Sequence, residues 1–580
     1  MRSLDLGVKF RPVARESPKA ASAVPSIVKD LVDQFDRPLD FFRELIQNSI
    51  DAGSNRIDVS FEHDGEKAII HVEDDGEGMD EYIIDNFLLV LFRSTKEDDF
   101  TKIGKFGIGF VSVFAPRPDI VRLWTAKNGE SWRLDFPDYR RYEKYKLSKM
   151  REGTLVELLK KIPKSQAETM AKDARDTIRY WCRHADCRIY FSAFGSPPEL
   201  LSEPFGLAGS SLRYEEEGTV VELAFTAEEK PFYGFYNRGL TLMEGKDALF
   251  PGVSFKAKSR YLEHTLTRDN VMKDQNYDKL MAIIERLVSE QLPPRLVEEL
   301  GKAARALSAL AAKPAPTPED AAERDRLSAL WAQRSAFLRH LYNGYFARWK
   351  RSDWPVFPSL SGDVLNLKQV EDASEEADDR LYFDDAPNSV TDALEKRGIL
   401  VLPAGVWTDC LASWLKIPAM KASEALIRPE ALDDGALPED VRAFLETLRT
   451  VDARSGAKYK GISGADLAYP GSCVRERLFV TQKEPGDLSP AEEAPVSSLL
   501  SFGRARRWAL LHVAHPTFRT LARLHAKRPG LAAFLCLKML HLNDGAVPAE
   551  RESEYSNLAE KAEMRLLETA VRLDAAAGRA

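Results

Sequence analysis

Apolar residues recur at spacings of three and four at the start of the patterned part of the chain. Ile27, Leu31, Val32 and Phe35 predict one helix from Pro25 onward. Phe41, Leu45, Ile46 and Ile50 predict a second over 38–50, with Gly53 as its stop. The period then falls to two. Residues 57–61 and 68–72 alternate as strands around Asp64-Gly65, a hairpin signal. A helix is expected over 81–92 and another, apolar, over 104–114. Strands are expected at 120–125, 132–136, 153–158 and 188–192. This first unit, to about residue 200, reads as a mixed sheet with helices: α+β, not doubly wound.

Further along, strands are expected at 219–225 and 232–236, and helix over 276–312 with Leu280, Ile283, Ile284 and Leu287 on one face. A proline-rich break at 311–320 precedes more helix to about Tyr345. Residues 376–415 alternate strand, helix, strand, helix. Beyond 415 the pattern reads as mainly helical, with one apolar run at 508–513 and a last amphipathic helix near 552–577.

At 580 residues the chain suggests three or four domains. Its composition, 44% hydrophobic and 30% charged, is that of a globular protein. A net charge of −8 disfavours a dedicated nucleic-acid binder, so nucleic acid is an unlikely partner on charge alone. Five cysteines are too few for a disulfide scaffold. Cys182, His184 and Cys187 stand close, but no second ligand pair completes a tetrahedral site, so ordinary structural residues are expected there. No leader peptide and no apolar run of about 20 residues stands out, so no membrane association and a cytoplasmic location are expected.

Chemistry concentrates in the first 160 residues. Glu44 and Asn48, four apart, share one helix face. A carboxylate and a carboxamide so placed suit a water nucleophile and a hydrated Mg²⁺, which takes oxygen ligands. Asp74-x-Gly76-x-Gly78 follows a strand, where a carboxylate can accept from an exocyclic amine and the glycines let main chain approach a flat base. Gly104-x-x-Gly107-x-Gly109 opens a helix, whose exposed N–H groups suit phosphate. It is neither a Rossmann fingerprint nor a P-loop. Gly153-Thr154 enters a strand, from which the threonine hydroxyl can reach a base.

Each piece is weak by itself. Their order is specific: Arg43-Glu-Leu-Ile-Gln-Asn-Ser-Ile-Asp-Ala52, Asp74-Asp-Gly-Glu-Gly-Met79, Gly104-Lys-Phe-Gly-Ile-Gly-Phe110 and Gly153-Thr154 together resemble the GHKL ATPase superfamily. The resemblance implies that Glu44 is the general base, that Asn48 binds Mg²⁺ and that Asp74 holds the adenine amine with Gly78 beside the base. Gly104, Gly107 and Gly109 would line the phosphates, and Thr154 would support Asp74. Asp51, Gly76, Met79, Asn86, Phe106 and Phe110 join the implied nucleotide-binding set. Phe87 stands where a contacting asparagine is expected, with Asn86 adjacent.

Asn48–Gly53 resembles the MutL branch. Leu262-Glu-His-Thr-Leu-Thr-Arg-Asp-Asn-Val271 resembles the catalytic loop of the heat-shock protein 90 middle domain, which implies that Arg268 reaches the γ-phosphate; 380–414 resembles the small α/β piece ending that region. The leading expectation is therefore a heat-shock-protein-90-like (HtpG-like) ATPase with ATP and Mg²⁺ as cofactors. It would be a homodimer acting on protein clients or a dedicated partner. Its layout would be a GHKL (Bergerat) α/β sandwich over 1–200, an α/β middle domain over 201–415, and a divergent, mainly helical region over 416–580, the candidate region for dimerisation. The alternative is a specialised ATP-driven switch on nucleic acid or a dedicated partner, as in MutL.

Overall fold

The computed structural model describes residues 38–89, 109–139, 141–148, 152–265, 270–313, 316–344, 353–491, 506–543, 564 and 566–576. The helix read near Pro25, the loop residues Gly104, Phe106 and Gly107, and Arg268 lie outside the described residues. By internal contacts the chain divides into two compact units, Met1–Leu292 and Pro293–Ala580.

In the first unit, strands β1 (Arg56–His63), β2 (Lys67–Asp74), β3 (Ile120–Lys127), β4 (Glu130–Asp138), β5 (Arg141–Lys146), β6 (Gly153–Lys161), β7 (Arg188–Ala193) and β8 (Glu199–Leu200) form one sheet. Its order is β5-β4-β3-β6-β2-β1-β7-β8. Only the β1–β7 pairing is parallel, so the sheet is mixed, as the alternating pattern anticipates. The alternation decides which face is dry: Ile57, Val59 and Phe61 of β1 and Ala68, Ile70 and Val72 of β2 are all buried. Asp64 makes the β1–β2 turn by accepting from the Glu66 and Lys67 N–H groups at 2.9 and 2.8 Å, with Gly65 at φ +105°. Helices α1 (Phe41–Asp51) and α2 (Lys164–Cys182) share the core of this sheet, through Phe41, Phe42, Leu45 and Ile46 of α1 and Ala171, Ala174 and Ile178 of α2. Gly53, at φ +74°, ends the first of them, as its sequence position predicts.

Two helices depart from expectation. The described part of the one read over 81–92 is a single α-turn, Glu81–Ile83, that widens into a π-turn, Ile84–Leu88. The described part of the one read over 104–114 tightens into a 3₁₀ turn at Ser112–Phe114, just ahead of Pro116.

A second sheet in the same unit comprises β9 (Leu212–Glu216), β10 (Thr219–Phe225), β11 (Phe232–Asn237), β12 (Leu240–Lys246) and β13 (Val253–Ser259), in the order β12-β11-β13-β10-β9. Strand β10 is buried along its whole length. The Glu222 carboxylate within it accepts from Arg213 at 2.6 Å.

In the second unit, Pro318–Tyr342 is a helix opened by a capping box between Thr317 and Asp320. Leu381–Asp384, Val401–Pro403 and Ala419–Lys421 form a parallel three-stranded sheet alternating with helices Ser389–Glu395 and Val406–Leu415, close to the α/β pattern read over 376–415. The mainly helical reading beyond 415 does not include a sheet that is present there. Gly461–Ala465, Trp508–His512 and Phe479–Gln482 form a further sheet, with Trp508–His512 in its centre. A short, continuous apolar run cannot reveal by periodicity whether it is strand or helix. Among the described residues, no helix is long and apolar enough to cross a membrane.

Candidate nucleotide site

Helix α1 turns its polar motif residues to different tasks. Arg43 is buried and lies over the Trp181 ring of α2 at 4.4 Å, and burial pulls its guanidinium below the usual arginine range. That contact fixes the turn that presents Glu44, itself only 7% exposed. Main chain presses on Glu44 from the other side. A Cβ added at Gly109 would stand 2.8 Å from Glu44 Oε2, so a larger residue there would push the carboxylate aside. One turn on, Asn48 is half-buried, and its carboxamide makes no hydrogen bond among the described residues. Such a group is available to an oxygen-ligated cation. Gly109 thus stands beside Glu44, and Asn48 lies one helical turn further along α1.

The Asp74–Met79 loop docks on the end of the same helix. Ser49 Oγ donates to Asp74 Oδ2 at 2.7 Å, and Gly76 N–H donates to Asp74 Oδ1 at 3.0 Å. The Leu45 carbonyl also lies 3.0 Å from Ser49 Oγ, but the shorter, charge-assisted bond is the stronger claim on its single proton. Burial pushes the Asp74 carboxyl above the usual aspartate range, against the opposing pull of those donors and the Thr154 main chain. Its neighbour Asp75 faces elsewhere, accepting from the Asn55 and Arg56 N–H groups at 2.8 and 2.9 Å. Of the two adjacent acids, Asp75 is spent on the loop and Asp74 is left at the site.

Sheet register places Thr154. Asp74 of β2 pairs with Thr154 of β6, which pairs in turn with Thr125 of β3. Thr125 is fully buried. Its hydroxyl accepts from Met79 N–H at 2.7 Å and lies 3.3 Å from both the Gly153 carbonyl and Thr154 Oγ1. Gly78, at φ +67°, has no room for a side chain: an added Cβ would lie 2.2 Å from the Ala126 carbonyl oxygen. A Cβ at Gly76 would likewise meet Ser54 Oγ at 2.6 Å. Asp74, Gly76, Gly78, Met79 and Thr154 are therefore one cluster. A carboxylate acceptor beside a floor of main chain suits a planar base carrying an amine.

The remaining expected residues sit apart from this cluster. Phe110 is core, its ring 5.4 Å from that of Phe136. Asn86 turns its amide back to the Tyr82 carbonyl at 2.9 Å, beside a cavity lined by Asp80, Asp85, Asn128 and Glu130. Phe87 is exposed and packs edge-on against Tyr82. Asp51 closes α1 and is held by Arg238 at 2.7 Å. His184 lies against Lys256, with Nε2 2.8 Å from the ammonium, and burial with that neighbour pushes its pKa down to about 4. The sequence reading missed Ser49, Thr125 and Arg238. Ser49 was legible as the residue after Asn48; the other two need the sheet order to be known.

Comparison with known proteins agrees with this geometry. Residues 42–169 match the family described as histidine kinase-, DNA gyrase B-, and HSP90-like ATPase. The chain is similar to the DNA mismatch repair protein MutL of Persephonella marina, 28% identical over 226 residues, covering 34% of this chain and 41% of that protein. It is also similar to MutL of Opitutus terrae, 36% identical over 77 residues and 12% of each chain. MutL of Pseudomonas aeruginosa is 30% identical over 131 residues, covering 21% of this chain and 20% of that protein. The chain thus spans about two fifths or less of the length of these relatives. With an eight-stranded mixed sheet behind a helix that carries Glu44 and Asn48, the N-terminal part of this protein is a GHKL-type ATPase domain.

Proposed function

We propose that this protein is an ATP-driven conformational switch of the MutL kind, hydrolysing ATP with Mg²⁺ and acting on nucleic acid or on a dedicated partner. The observation that carries the reading is on α1: a buried carboxylate under the Gly109 main chain, one turn from a carboxamide with no partner among the described residues. Glu44 orients the attacking water and takes its proton. Asn48 supplies a neutral oxygen to the cation. Asp74 accepts from the adenine amine, and Thr154 and Thr125 hold the loop beneath the base. Bound Mg²⁺ contributes neutralisation of phosphoryl charge. Arg268 is the proposed cation for the γ-phosphate.

The chaperone reading that led at the level of sequence gives way to its alternative, because the relatives named above are mismatch repair proteins. The expectation that nucleic acid is an unlikely partner loses its support for the same reason. A net negative charge averages over the chain and can conceal a local cationic surface. In the second unit, Arg519, Arg523 and Lys527 follow at four-residue spacing, partly or fully exposed and with no ion pair among the described residues. A homodimer also belongs to the proposal. The last helix buries Leu566 and Ala570 within its own chain, yet leaves Met564, Leu567 and Val571 exposed at spacings of three and four.

The test is ATP turnover by the full chain and by Glu44→Ala, with and without duplex DNA. We expect Glu44→Ala to bind ATP without hydrolysing it, and duplex DNA to change the wild-type rate. Full activity in Glu44→Ala would sink the mechanism. Suppression of client aggregation without any response to DNA would restore the chaperone reading.

A further inference from the structure

Strand β13 lies between β11 and β10, and its alternation separates two kinds of residue. Val253, Phe255 and Ala257 are buried, while Lys256 and Lys258 share the opposite face, both partly buried. That face meets the segment that follows α2, residues 183–187.

The two lysines find opposite surroundings there. Lys258 Nζ stands 2.8 Å from Asp186 Oδ1 in an ion pair. Lys256 Nζ stands 2.8 Å from His184 Nε2 and makes no ion pair among the described residues. The carboxylates around it have other partners: Glu244 accepts from Arg183 and Tyr236, and Glu222, its neighbour in register on β10, accepts from Arg213. The second nitrogen of His184 sets the tautomer. Nδ1 faces the Glu203 carbonyl at 3.5 Å, and a carbonyl oxygen can only accept. Nδ1 therefore carries the proton, and Nε2 turns its lone pair to Lys256. With a pKa of about 4, the ring is neutral near pH 7 and free to accept.

Burial, and after it the charge of Arg183, draws the Lys256 amine below the ordinary lysine range, against the opposing charges of Glu244, Glu203 and Glu222. The rings of Phe232 and Tyr236, 5.9 and 5.7 Å from Nζ, wall the amine on the sheet side. A lysine amine so placed, partly desolvated and hydrogen-bonded to a neutral imidazole, has the surroundings of an activated nucleophile.

We propose that Lys256 is a modification site, a nucleophilic lysine acylated by small acyl phosphates, with His184 as the base that receives its proton. The neutral amine attacks the acyl carbonyl carbon. A C–N bond forms and the C–O bond to phosphate breaks. Phosphate leaves with the electron pair, and the surplus N–H proton passes to His184 Nε2. The products are an uncharged amide and inorganic phosphate. A partly buried amine admits a compact donor, which an acyl phosphate is. Acylation removes the charge of Lys256 and its bond to His184, at the place where the end of α2 meets the second sheet.

The test incubates the full chain with acetyl phosphate at about pH 8 and follows each lysine by peptide mass spectrometry. Lys258 is the internal reference, on the same strand and the same face. Lys256 should acetylate at least about tenfold faster than Lys258. His184→Gln keeps an acceptor but supplies no base. It should slow Lys256 roughly tenfold or more, leaving the rate at Lys258 and the melting temperature unchanged. Asp186→Asn removes the ion pair of Lys258 and should speed acetylation there and not at Lys256. Equal rates at the two lysines of the wild-type chain would overturn the proposal. So would a Lys256 rate indifferent to His184→Gln, or a Lys258 rate indifferent to Asp186→Asn. Should His184→Gln fail to fold, the wild-type ratio and Asp186→Asn still decide.

Discussion

Ser49 and Asp74 meet across 2.7 Å, the serine on the helix that carries Glu44 and the aspartate at the end of a strand. The bond joins the catalytic and base-binding halves of the proposed site and offsets part of the cost of burying a carboxylate. Ser49→Ala should therefore weaken ATP binding roughly tenfold, since a hydrogen bond to a charged group contributes about 1.5–3 kcal/mol. It should also raise the Asp74 pKa further, so that affinity in acid begins to fall at a higher pH than in wild type. Titration calorimetry across pH 5–8 checks both; equal affinity at every pH would dismiss the role of Ser49.

Gly109 tests the other half. A Cβ at that position would come within 2.8 Å of Glu44 Oε2, so Gly109→Ala must shift the carboxylate. We expect turnover to fall at least tenfold, while ATP affinity stays within a few-fold of wild type. A variant as fast as wild type would show that Glu44 tolerates movement, which a positioned general base does not.

Gly78→Ala combines a left-handed φ with a Cβ placed 2.2 Å from a carbonyl oxygen that belongs to the sheet itself. The expected cost is about 1–3 kcal/mol of stability, seen as a lower melting temperature, together with lost nucleotide binding. Unchanged melting would mean that the Asp74–Met79 loop can lift from the sheet.

His184 predicts a dependence of stability on pH. Its folded pKa, about 4, lies below the ordinary value of 6.5, so between these values the unfolded chain binds more protons. Stability from this residue is complete above about pH 6.5 and is lost as pH falls toward 4. Its size is on the order of 1–3 kcal/mol. His184→Gln, which keeps an acceptor for Lys256, should flatten this part of the wild-type curve. Unfolding midpoints at pH 7 and pH 5 for both proteins decide it; parallel shifts would assign the effect elsewhere.

The cationic row Arg519, Arg523 and Lys527 gives a direct measure of the nucleic-acid reading. Reversing all three charges should weaken duplex binding at low salt. It should also reduce the slope of log affinity against log salt by roughly three phosphate contacts. An unaltered slope would place the DNA surface elsewhere or remove it.

The parts of the site legible in the sequence are those held within one element. Glu44 and Asn48 follow from helical spacing, and Asp74 from its place at a strand end. What could not be read is whatever needs one strand set beside another. Thr125 is an ordinary β-branched residue until β3 is known to flank β6, and Arg238 lies 187 residues from its partner Asp51. Phe110 enters the nucleotide set through the resemblance alone, and its ring packs in the core beside Phe136. Beyond residue 415 the strands are short, and Gly461–Ala465 holds one β-branched residue in five, too weak a signal for period or propensity to expose.

The tight seating of Gly78 on the Ala126 carbonyl has a bearing on inhibition. A surface built from main chain offers no side chain to exchange. A compound that rested on it could not be evaded by altering the residues it touches, because any replacement at Gly78 would injure the enzyme before it troubled the drug. Resistance would have to arise at a distance, in whatever governs how readily the site opens.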